Sequence, residues 1–301
     1  NSPYSRFNLG TFEPTTTNRS LAMGGISIAS SDNSSFSFSN PASYSAIDTN
    51  SFVFDFGIDY GMNYLNASGS KYHSDDFNFD HLIMGFPLAK GLGISTGIIN
   101  VTNGYYKISQ SIKEGDSNYD PIAGAYTATH LGSGGLTGFF LGSGLNVMKN
   151  LSIGVNLNVL FGSIDRTNDF FFDDVDNMYH NTELEKLKVS GINYDLGAQY
   201  SIQLKEKYLI TLGGAYTFGK NYKTDYESII FRYTAYGNQD TIASTTDNTT
   251  KTFIPATFKA GISFGKKDKF SVGLDYNQSA WSTGKIPGST GHLGDKLNFL
   301  F

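Results

Sequence analysis

Residues 51–65 alternate between two kinds of side chain. The even positions carry apolar, mostly aromatic groups: Phe52, Phe54, Phe56, Ile58, Tyr60, Met62 and Tyr64. After Val53, the odd positions carry carboxylates, glycines and an amide: Asp55, Gly57, Asp59, Gly61 and Asn63. A repeat of two is typical of a β-strand, whose successive side chains point to opposite faces. Soluble strands usually have about 5–6 residues and tilted membrane strands about 9–11, so the length favours a membrane strand over an edge strand of a large soluble sheet.

The alternation recurs along the chain and predicts nine strands and the start of a tenth. After the first strand, the apolar faces lie in residues 82–88, 92–98, 137–147, 151–161, 192–204, 208–218, 258–264 and 270–276, and the last segment begins at residue 296. Aromatic residues lie near the ends of several faces, as in the girdles at the two interfaces of a membrane barrel: Tyr60, Tyr64, Phe161, Tyr200, Tyr208, Tyr216, Phe218, Tyr276 and Trp281.

The connections between these strands alternate in length. Short connections lie at 87–91, 148–150, 205–207 and 265–269, and longer polar ones at 66–75, 103–135, 165–188 and 220–251. This alternation is typical of an up-and-down transmembrane barrel, with tight periplasmic turns and longer extracellular loops. A soluble β-sandwich has no reason to sort its loops in this way.

The composition fits a transmembrane barrel better than a soluble domain. Charged residues make up 16% of the chain, against roughly 25% in an ordinary soluble domain, and aromatic residues reach 15%. No run of about 20 apolar residues is present, which argues against membrane-spanning helices. The net charge of −5 argues against a nucleic-acid partner. The chain has no Cys that could carry a lipid, and its start at Asn1 predicts a mature form after signal-peptide removal.

The predicted fold is therefore all-β, an antiparallel transmembrane β-barrel over residues 51–301 with ten of its strands visible in the sequence. Bacterial barrels close with an even number of strands and leave no free edge. Because the sequence stops a few residues into a strand, we expect the barrel to be incomplete at its C-terminus and further strands to belong to the natural protein.

The sequence of residues 1–50 does not predict a membrane-spanning strand. The first twenty are rich in Asn, Thr and Ser and contain two prolines, which is typical of a loop. The following thirty are too apolar for a simple disordered tail. A leader of this kind ahead of a barrel predicts a segment that folds inside the lumen as a plug.

The sequence of this leader resembles a known family. Residues 23–48 read MGGISIASSDNSSFSFSNPASYSAID, and a long first strand follows at once. The segment resembles the N-terminal hatch of the FadL (OmpP1/TodX) outer-membrane transporters, and the opening SPYSRFNLG looks like a branch common in Bacteroidetes. The matching residues are Gly24, Gly25, Asn40, Pro41 and Ala42.

The resemblance implies a barrel of about 14 strands in the bacterial outer membrane, in contact with the bilayer and lipopolysaccharide. It also implies a lumen plugged by the hatch, and hydrophobic small molecules that leave sideways through a gap in the wall. It covers residues 20–65 in detail and only the architecture beyond them.

Catalytic and cofactor chemistry is not indicated. The five histidines are scattered, and no pair has the spacing of a metal site: His73, His81, His130, His180 and His292. No Ser/His/Asp grouping is visible in sequence order. We therefore expect neither an enzyme nor a cofactor.

Residues 169–181 form the sharpest local feature. Asp173, Asp174, Asp176 and Asn177 offer oxygens that Ca²⁺ prefers, but without the spacing and glycine of an EF-hand loop, so the alternative is a solvated acidic loop. Phe170, Phe171 and Phe172 precede them. In an outside loop, these rings would either pack across the barrel mouth or form a partner surface.

Charged residues that face the lumen are few: Asp55, Asp59, Asp195, Lys259 and Asp275. Such carboxylates could pair with Arg6 or Arg19 of the leader and hold the plug, or they could simply be hydrated in a wet lumen. The remaining inward positions are mainly Gly, Ser, Thr and Asn, which suit the close approach of a plug backbone.

Two functions fit these features. One is a FadL-type transporter that takes up hydrophobic molecules by a hatch-gated lateral route. The alternative is a plugged, non-conducting barrel that serves as a structural or docking subunit of a larger outer-membrane complex, such as a secretion or assembly machine.

Overall fold

The computed structural model describes residues 3–14, 16–30, 32, 36–67, 70–173, 179–204, 207–234, 237, 239–266, 269–287 and 296–300. Their strands are β1 (Thr11–Phe12), β2 (Val53–Ala67), β3 (Ser70–Ala89), β4 (Leu92–Asn103), β5 (Tyr106–Ile112), β6 (Tyr126–Met148), β7 (Leu151–Phe172), β8 (His180–Leu204), β9 (Tyr208–Thr217), β10 (Lys220–Tyr233), β11 (Gln239–Asp247), β12 (Lys251–Ile254), β13 (Thr257–Lys266), β14 (Phe270–Ser279) and β15 (Lys296–Leu300). The helices are α1 (Asn18–Ala22) and the 3₁₀ helices Pro3–Arg6, Pro41–Ala46 and Trp281–Thr283. None of these helices is long and apolar enough to cross a membrane.

The strands form one antiparallel sheet that curls around the N-terminal segment, residues 3–47. Ten strands make the wall in the order β2-β3-β4-β6-β7-β8-β9-β13-β14-β15. They are the ten strands that the alternation predicts, so the prediction of an all-β antiparallel barrel fold is confirmed. Within the described residues, β2 and β15 end this series, and each pairs with one wall strand.

The polarity of the two faces of the wall is the reverse of that in a soluble protein, because the apolar side chains point outward. On β7, Ile153, Val155 and Leu157 point outward and are exposed, whereas Asn156 points inward and is buried. An apolar outer face with a small or polar inner face is the arrangement of a membrane barrel. The period-two pattern of the sequence thus corresponds to apolar residues on the outer face and small or polar residues on the inner face.

Several connections predicted as loops are strands instead. β6, β7 and β8 have 23, 22 and 25 residues and extend well past the apolar band. β5 pairs with the extension of β6, β10 pairs with that of β8, and β11 pairs with β10. The prediction of long loops at 103–135, 165–188 and 220–251 is therefore largely wrong. The prediction of a loop at 66–75 is also wrong, because only two residues separate β2 from β3. The outward positions of the extensions of β7 and β8 include charged residues such as Asp165 and Lys186, so these extensions lack the outward apolar row that reveals the wall strands.

Within the described residues, β3 and β4 pair along only part of their length. β3 pairs with β4 only from His81 onward, where His81 lies opposite Ile99. Beyond that point, Thr102 and Asn103 of β4 pair with β1 instead. The N-terminal segment therefore occupies the edge of β4 that the first half of β3 leaves free.

The apolar core lies between the N-terminal segment and the inner face of the wall. One buried cluster contains Leu9, Leu136, Leu160, Ile164, Leu187, Val189, Tyr222 and Ile286. A second contains Phe36, Phe38, Tyr44, Ile47, Ile83 and Phe140. Because each large side chain that is fully buried contributes about 1.5–3 kcal/mol, these clusters tie the segment firmly to the wall.

Candidate functional site

The lower lumen, at the end of the sheet with the short turns, is built from glycines. In each of nine described wall glycines, an added Cβ would lie 3 Å or less from residues 26–47: Gly85, Gly93, Gly142, Gly144, Gly154, Gly197, Gly213, Gly261 and Gly273. We call this set the glycine seat. It spans β3 to β14 and lets the backbone of the N-terminal segment lie directly on the wall.

Polar side chains of the wall bond to the backbone of this segment. Asp275 accepts hydrogen bonds from the N–H groups of Ser27, at 2.7 Å, and Ile28, at 2.9 Å. Gln199 donates to the carbonyl of Ile28 at 2.9 Å, and Ser263 donates to that of Ala29 at 2.8 Å. These bonds satisfy buried backbone groups that have no strand partner of their own.

Asn40 joins the segment to itself and to the wall. Its Oδ1 accepts a hydrogen bond from Ala42 N at 3.2 Å and caps the helix Pro41–Ala46. Its Nδ2 donates to the carbonyl of Ile28 at 2.7 Å and to that of Ala198 at 3.2 Å. Pro41 occupies the first helical position, where a missing N–H costs nothing. The Asn-Pro-Ala sequence thus begins this helix and fixes it to the wall.

Tyr44 lies at the centre of the seat. Its ring is fully buried, and its hydroxyl donates to Asn156 Oδ1 at 3.0 Å. Burial raises the pKa of the phenol, so it stays neutral at any physiological pH. Asn156 in turn donates to the carbonyl of Phe38 at 3.0 Å. One buried wall amide therefore holds two points of the segment.

Gly24 and Gly25 form the turn that follows α1. Both have positive φ, at 77° and 90°, which favours glycine. The N–H of Gly25 donates to the carbonyl of Ser20 at 2.8 Å and closes the helix end. The pair therefore redirects the chain from α1 toward the seat.

Two lumenal carboxylates accept hydrogen bonds from the N-terminal segment. Asp275 accepts from two backbone N–H groups, and Asp55 accepts from Asn18 at 3.0 Å. Arg19 pairs with Asp32 of its own segment, at 2.8 Å. Of the two alternatives for these carboxylates, the pairing with Arg19 is therefore wrong.

A buried histidine lies beside Asp55. His81 Nδ1 is 2.8 Å from Asp80, and its Nε2 is 3.4 Å from Asp55. Asp80 is the extra residue of a bulge, which lets both carboxylates reach the ring. The group lies where β3 parts from β4.

The gap between β3 and β4 is polar. A small cavity of about 170 Å³ lies there, lined by Ser5, Thr11, Glu13, Asp59, Gly61, Asn63, Asp76, Asn78 and Asn103. Burial raises the pKa of Glu13, and the charges of Asp59 and Asp80 raise it further. The N–H of Glu13 also donates to the carbonyl of Val101 at 3.0 Å, which continues the pairing of β1 with β4.

A larger cavity of about 530 Å³ lies higher in the lumen, between the N-terminal segment and the wall. Its lining includes the apolar residues Phe12, Leu21, Phe38, Ile99, Val101, Phe140, Leu160, Tyr222, Ile254 and Trp281. Asp195 and Lys259 line it together with several amides, and Asn158 donates to Asp195 at 2.7 Å. The cavity is mainly apolar, with one polar side.

Phe170, Phe171 and Phe172 do not form a loop. They end β7, where Phe170 and Phe172 share one face and Phe171 lies on the other. Phe171 stacks on His180 with ring centroids 4.0 Å apart, and Phe172 contacts Tyr126 at 5.5 Å. Their loop assignment is wrong, because the pairing of β7 with β6 continues past the apolar band.

The candidate metal ligands are not brought together in the described residues. Asp173 is exposed, and its N–H donates to the carbonyl of Ala125. Asp174, Asp176 and Asn177 lie outside the described residues. Within the part of the chain that the structure describes, no group of three acidic or histidine side chains could hold a metal ion.

Sequence reasoning missed the wall amides. Asn156 and Gln199 are buried and bind the segment, yet the sequence marks them only as polar positions in an alternating strand. Size does not single them out, because Asn158, Asn193 and Asp195 occupy inward positions on the same two strands.

Removing the Asp275 carboxylate should loosen the N-terminal segment. In Asp275→Ala, the N–H groups of Ser27 and Ile28 lose a buried acceptor, at about 1–3 kcal/mol each. We expect the free energy of unfolding in urea to fall by about 2–5 kcal/mol. Asp59→Ala is the matched control, because Asp59 is an exposed inward carboxylate on β2, and it should change little. Equal losses in the two variants would contradict this role of Asp275.

These features define a class of protein: an antiparallel β-barrel whose N-terminal segment packs inside the barrel wall. The chain belongs to the BamG family, whose model matches residues 1–291. No curated protein sequence matches the chain.

Three solved structures are similar to this chain in fold, and they include a channel and a transporter. A Pseudomonas aeruginosa FadL homologue has a TM-score of 0.54 at 13% identity, covering 96% of this chain and 75% of that one. The CymD monoaromatic hydrocarbon channel has a TM-score of 0.52 at 17% identity, with 98% and 76% covered. The Ralstonia pickettii toluene transporter TbuX has a TM-score of 0.55 at 16% identity, with 98% and 79% covered. The resemblance to FadL barrels is thus confirmed for the fold, and the branch common in Bacteroidetes stays a prediction.

Proposed function

We propose that the protein is a plugged, non-conducting outer-membrane barrel that serves as a structural or docking subunit of a larger outer-membrane complex. In this proposal, residues 1–50 are the plug and residues 51–301 belong to the barrel, surrounded by lipid and lipopolysaccharide. One observation carries it: the N-terminal segment lies on the glycine seat in the lumen, and its strand β1 pairs with the edge of β4 that β3 leaves free.

The lateral route is also chemically unsuited to apolar cargo. Asp59, Asp76 and Glu13 line the gap between β3 and β4. A hydrophobic molecule that passed there would remove water from carboxylates, which is costly without compensating partners. Membership of the BamG family supports the same proposal.

Uptake of hydrophobic molecules is the second candidate. The 530 Å³ cavity supports it, because its size and mainly apolar lining suit a small hydrophobic ligand. The fold supports it as well, since the similar structures include a toluene transporter and a monoaromatic hydrocarbon channel. A transporter that released its cargo between β3 and β4 or past the glycine seat would have to displace the N-terminal segment.

Purification from native membranes in mild detergent distinguishes the two functions. We expect stoichiometric integral membrane proteins to co-purify and the barrel to contain no stoichiometric small molecule. Mass spectrometry of proteins and lipids from one sample provides both readouts. Stoichiometric hydrophobic molecules without a protein partner would contradict the subunit proposal and support uptake.

Trp281 provides an independent test of uptake. It is the single tryptophan, it lines the cavity, and its ring lies 4.8 Å from that of Phe12. If the barrel takes up aromatic cargo, toluene should change the emission of Trp281 in a saturable way. The subunit proposal expects no saturable change, and a Trp281→Phe variant controls for background emission.

A further inference from the structure

Lysines are concentrated at the end of the wall with the short turns. The connections at 87–91, 148–150, 205–207 and 265–269 carry seven lysines and two acidic residues, in a chain whose net charge is −5. Five of these lysines belong to the described residues: Lys90, Lys149, Lys207, Lys266 and Lys269. None of the five forms an ion pair with another described residue. Their charge is therefore not neutralised within the described part of the chain.

The opposite end of the sheet is arranged differently. Lys186 lies 3.9 Å from Asp165 there. Lys223 lies 3.5 Å from Asp225. Positive and negative charges thus pair at the end with the long strands, whereas positive charge accumulates at the end with the short turns. Because the short turns of such barrels face the periplasm, this charge lies at the level of the inner, phospholipid leaflet of the outer membrane.

One corner of this end combines lysines with aromatic rings. Lys266 of β13 lies directly opposite Tyr208 of β9 and Phe270 of β14. Its Nζ is 5.2 Å from the centre of the Tyr208 ring. The ring of Phe264 contacts those of Tyr208 and Phe270, with centroids 5.8 and 5.9 Å apart. Together with the two lysines that directly precede these rings in the chain, they form the basic aromatic corner: Lys207, Tyr208, Phe264, Lys266, Lys269 and Phe270.

The rings of the basic aromatic corner face the bilayer. Phe270 is 47% exposed, and Val272, the next residue on the same face of β14, is 64% exposed. Aromatic rings in this position lie at headgroup depth in a membrane barrel, and lysines beside them extend to the level of the phosphates. Lys90 and Lys149, in two other described turns, are single lysines flanked by residues that are not aromatic. The corner therefore differs from these turns in both charge and ring content.

We infer that the basic aromatic corner binds the headgroup of an anionic phospholipid of the inner leaflet. The three lysines attract the headgroup phosphate, and the ring of Tyr208 holds the Lys266 ammonium at the rim. The exposed apolar row that continues through Val272 offers a surface for the acyl chains. A soluble acidic protein fits less well, because the rings beside the lysines belong to the apolar band. The inference rests on the outer-membrane location in the proposed function, but not on the choice between subunit and uptake.

Native mass spectrometry of the full chain, purified in detergent, tests lipid selectivity. The protein is titrated with phosphatidylglycerol, which is anionic, and with phosphatidylethanolamine, which carries the same phosphate but no net charge. We expect at least about five-fold more bound phosphatidylglycerol, and a ratio below about two in the triple variant Lys207→Gln, Lys266→Gln and Lys269→Gln. The matched control, Lys90→Gln with Lys149→Gln, should keep the preference. Equal binding of the two lipids, or an unchanged preference in the triple variant, would overturn the inference.

Photo-crosslinking in native membranes separates a lipid from a protein partner. A benzophenone amino acid replaces Phe270 in the full chain, and the matched control carries it at Val147, an exposed outward residue near the single Lys149. We expect phospholipid adducts at both positions, with a larger anionic share at Phe270. Capture of an acidic protein at Phe270 in place of lipid would overturn the inference and leave the subunit function standing. Absence of the protein from the outer-membrane fraction would instead overturn the location, and the proposed function with it.

Discussion

Gly154→Leu should prevent the N-terminal segment from seating and destabilise the protein by about 3 kcal/mol. A Cβ at Gly154 would lie 2.5 Å from the backbone nitrogen of Ala42, inside the helix Pro41–Ala46. Backbone cannot rotate away as a side chain can, and this helix is itself held by Asn40. The segment must therefore lift from β7 and lose its buried contacts.

Gly214→Leu is the matched control for this prediction. Gly214 also lies within a wall strand, but the nearest atom to its added Cβ is 4.0 Å away, at the carbonyl of Lys259. Urea unfolding gives the free energies, and trypsin cleavage after Arg19 reports whether the segment has left the lumen. A similar loss in the two variants would mean that glycine matters for strand formation and not for the seat.

The sequence predicts the wall well because the membrane imposes one rule along every strand. Outward residues on β7 and β8, such as Leu157 and Tyr194, must be apolar, and inward residues between them are small or polar. That rule fails where strands leave the bilayer. At the ends of β7 and β8 the outward positions face water, so the outward pair Asp165 and Lys186 is charged, although their neighbours Ile164 and Leu187 remain buried on the inner face.

The contacts of the lumen are less predictable for a different reason. Asp275 lies 248 positions from Ser27, and no local pattern specifies that its partners are backbone N–H groups. Charge reasoning suggested Arg19 instead, yet a turn that offers two adjacent N–H groups satisfies a buried carboxylate without burying a second charge. The glycines show that something approaches the wall closely, but the sequence does not say which part of the segment each one meets.

Asn40→Ala should destabilise the protein by about 2–3 kcal/mol. The variant loses the helix cap to Ala42 and two donors to the buried carbonyls of Ile28 and Ala198. Asn40→Ser restores a cap oxygen alone, so it should recover about 1 kcal/mol of the loss. Urea unfolding of the three proteins measures the difference.

Pro41→Ala separates this explanation from a purely conformational one. Pro41 makes no polar contact through its own nitrogen, so its loss acts chiefly through the unfolded chain and should cost about 0.4–1 kcal/mol. The hydrogen bonds of Asn40 thus predict a fixed order, in which Asn40→Ala is clearly the more damaging change. If Pro41→Ala proved as harmful as Asn40→Ala, the Asn-Pro-Ala sequence would act by stiffening the chain, and the wall contacts of Asn40 would be secondary.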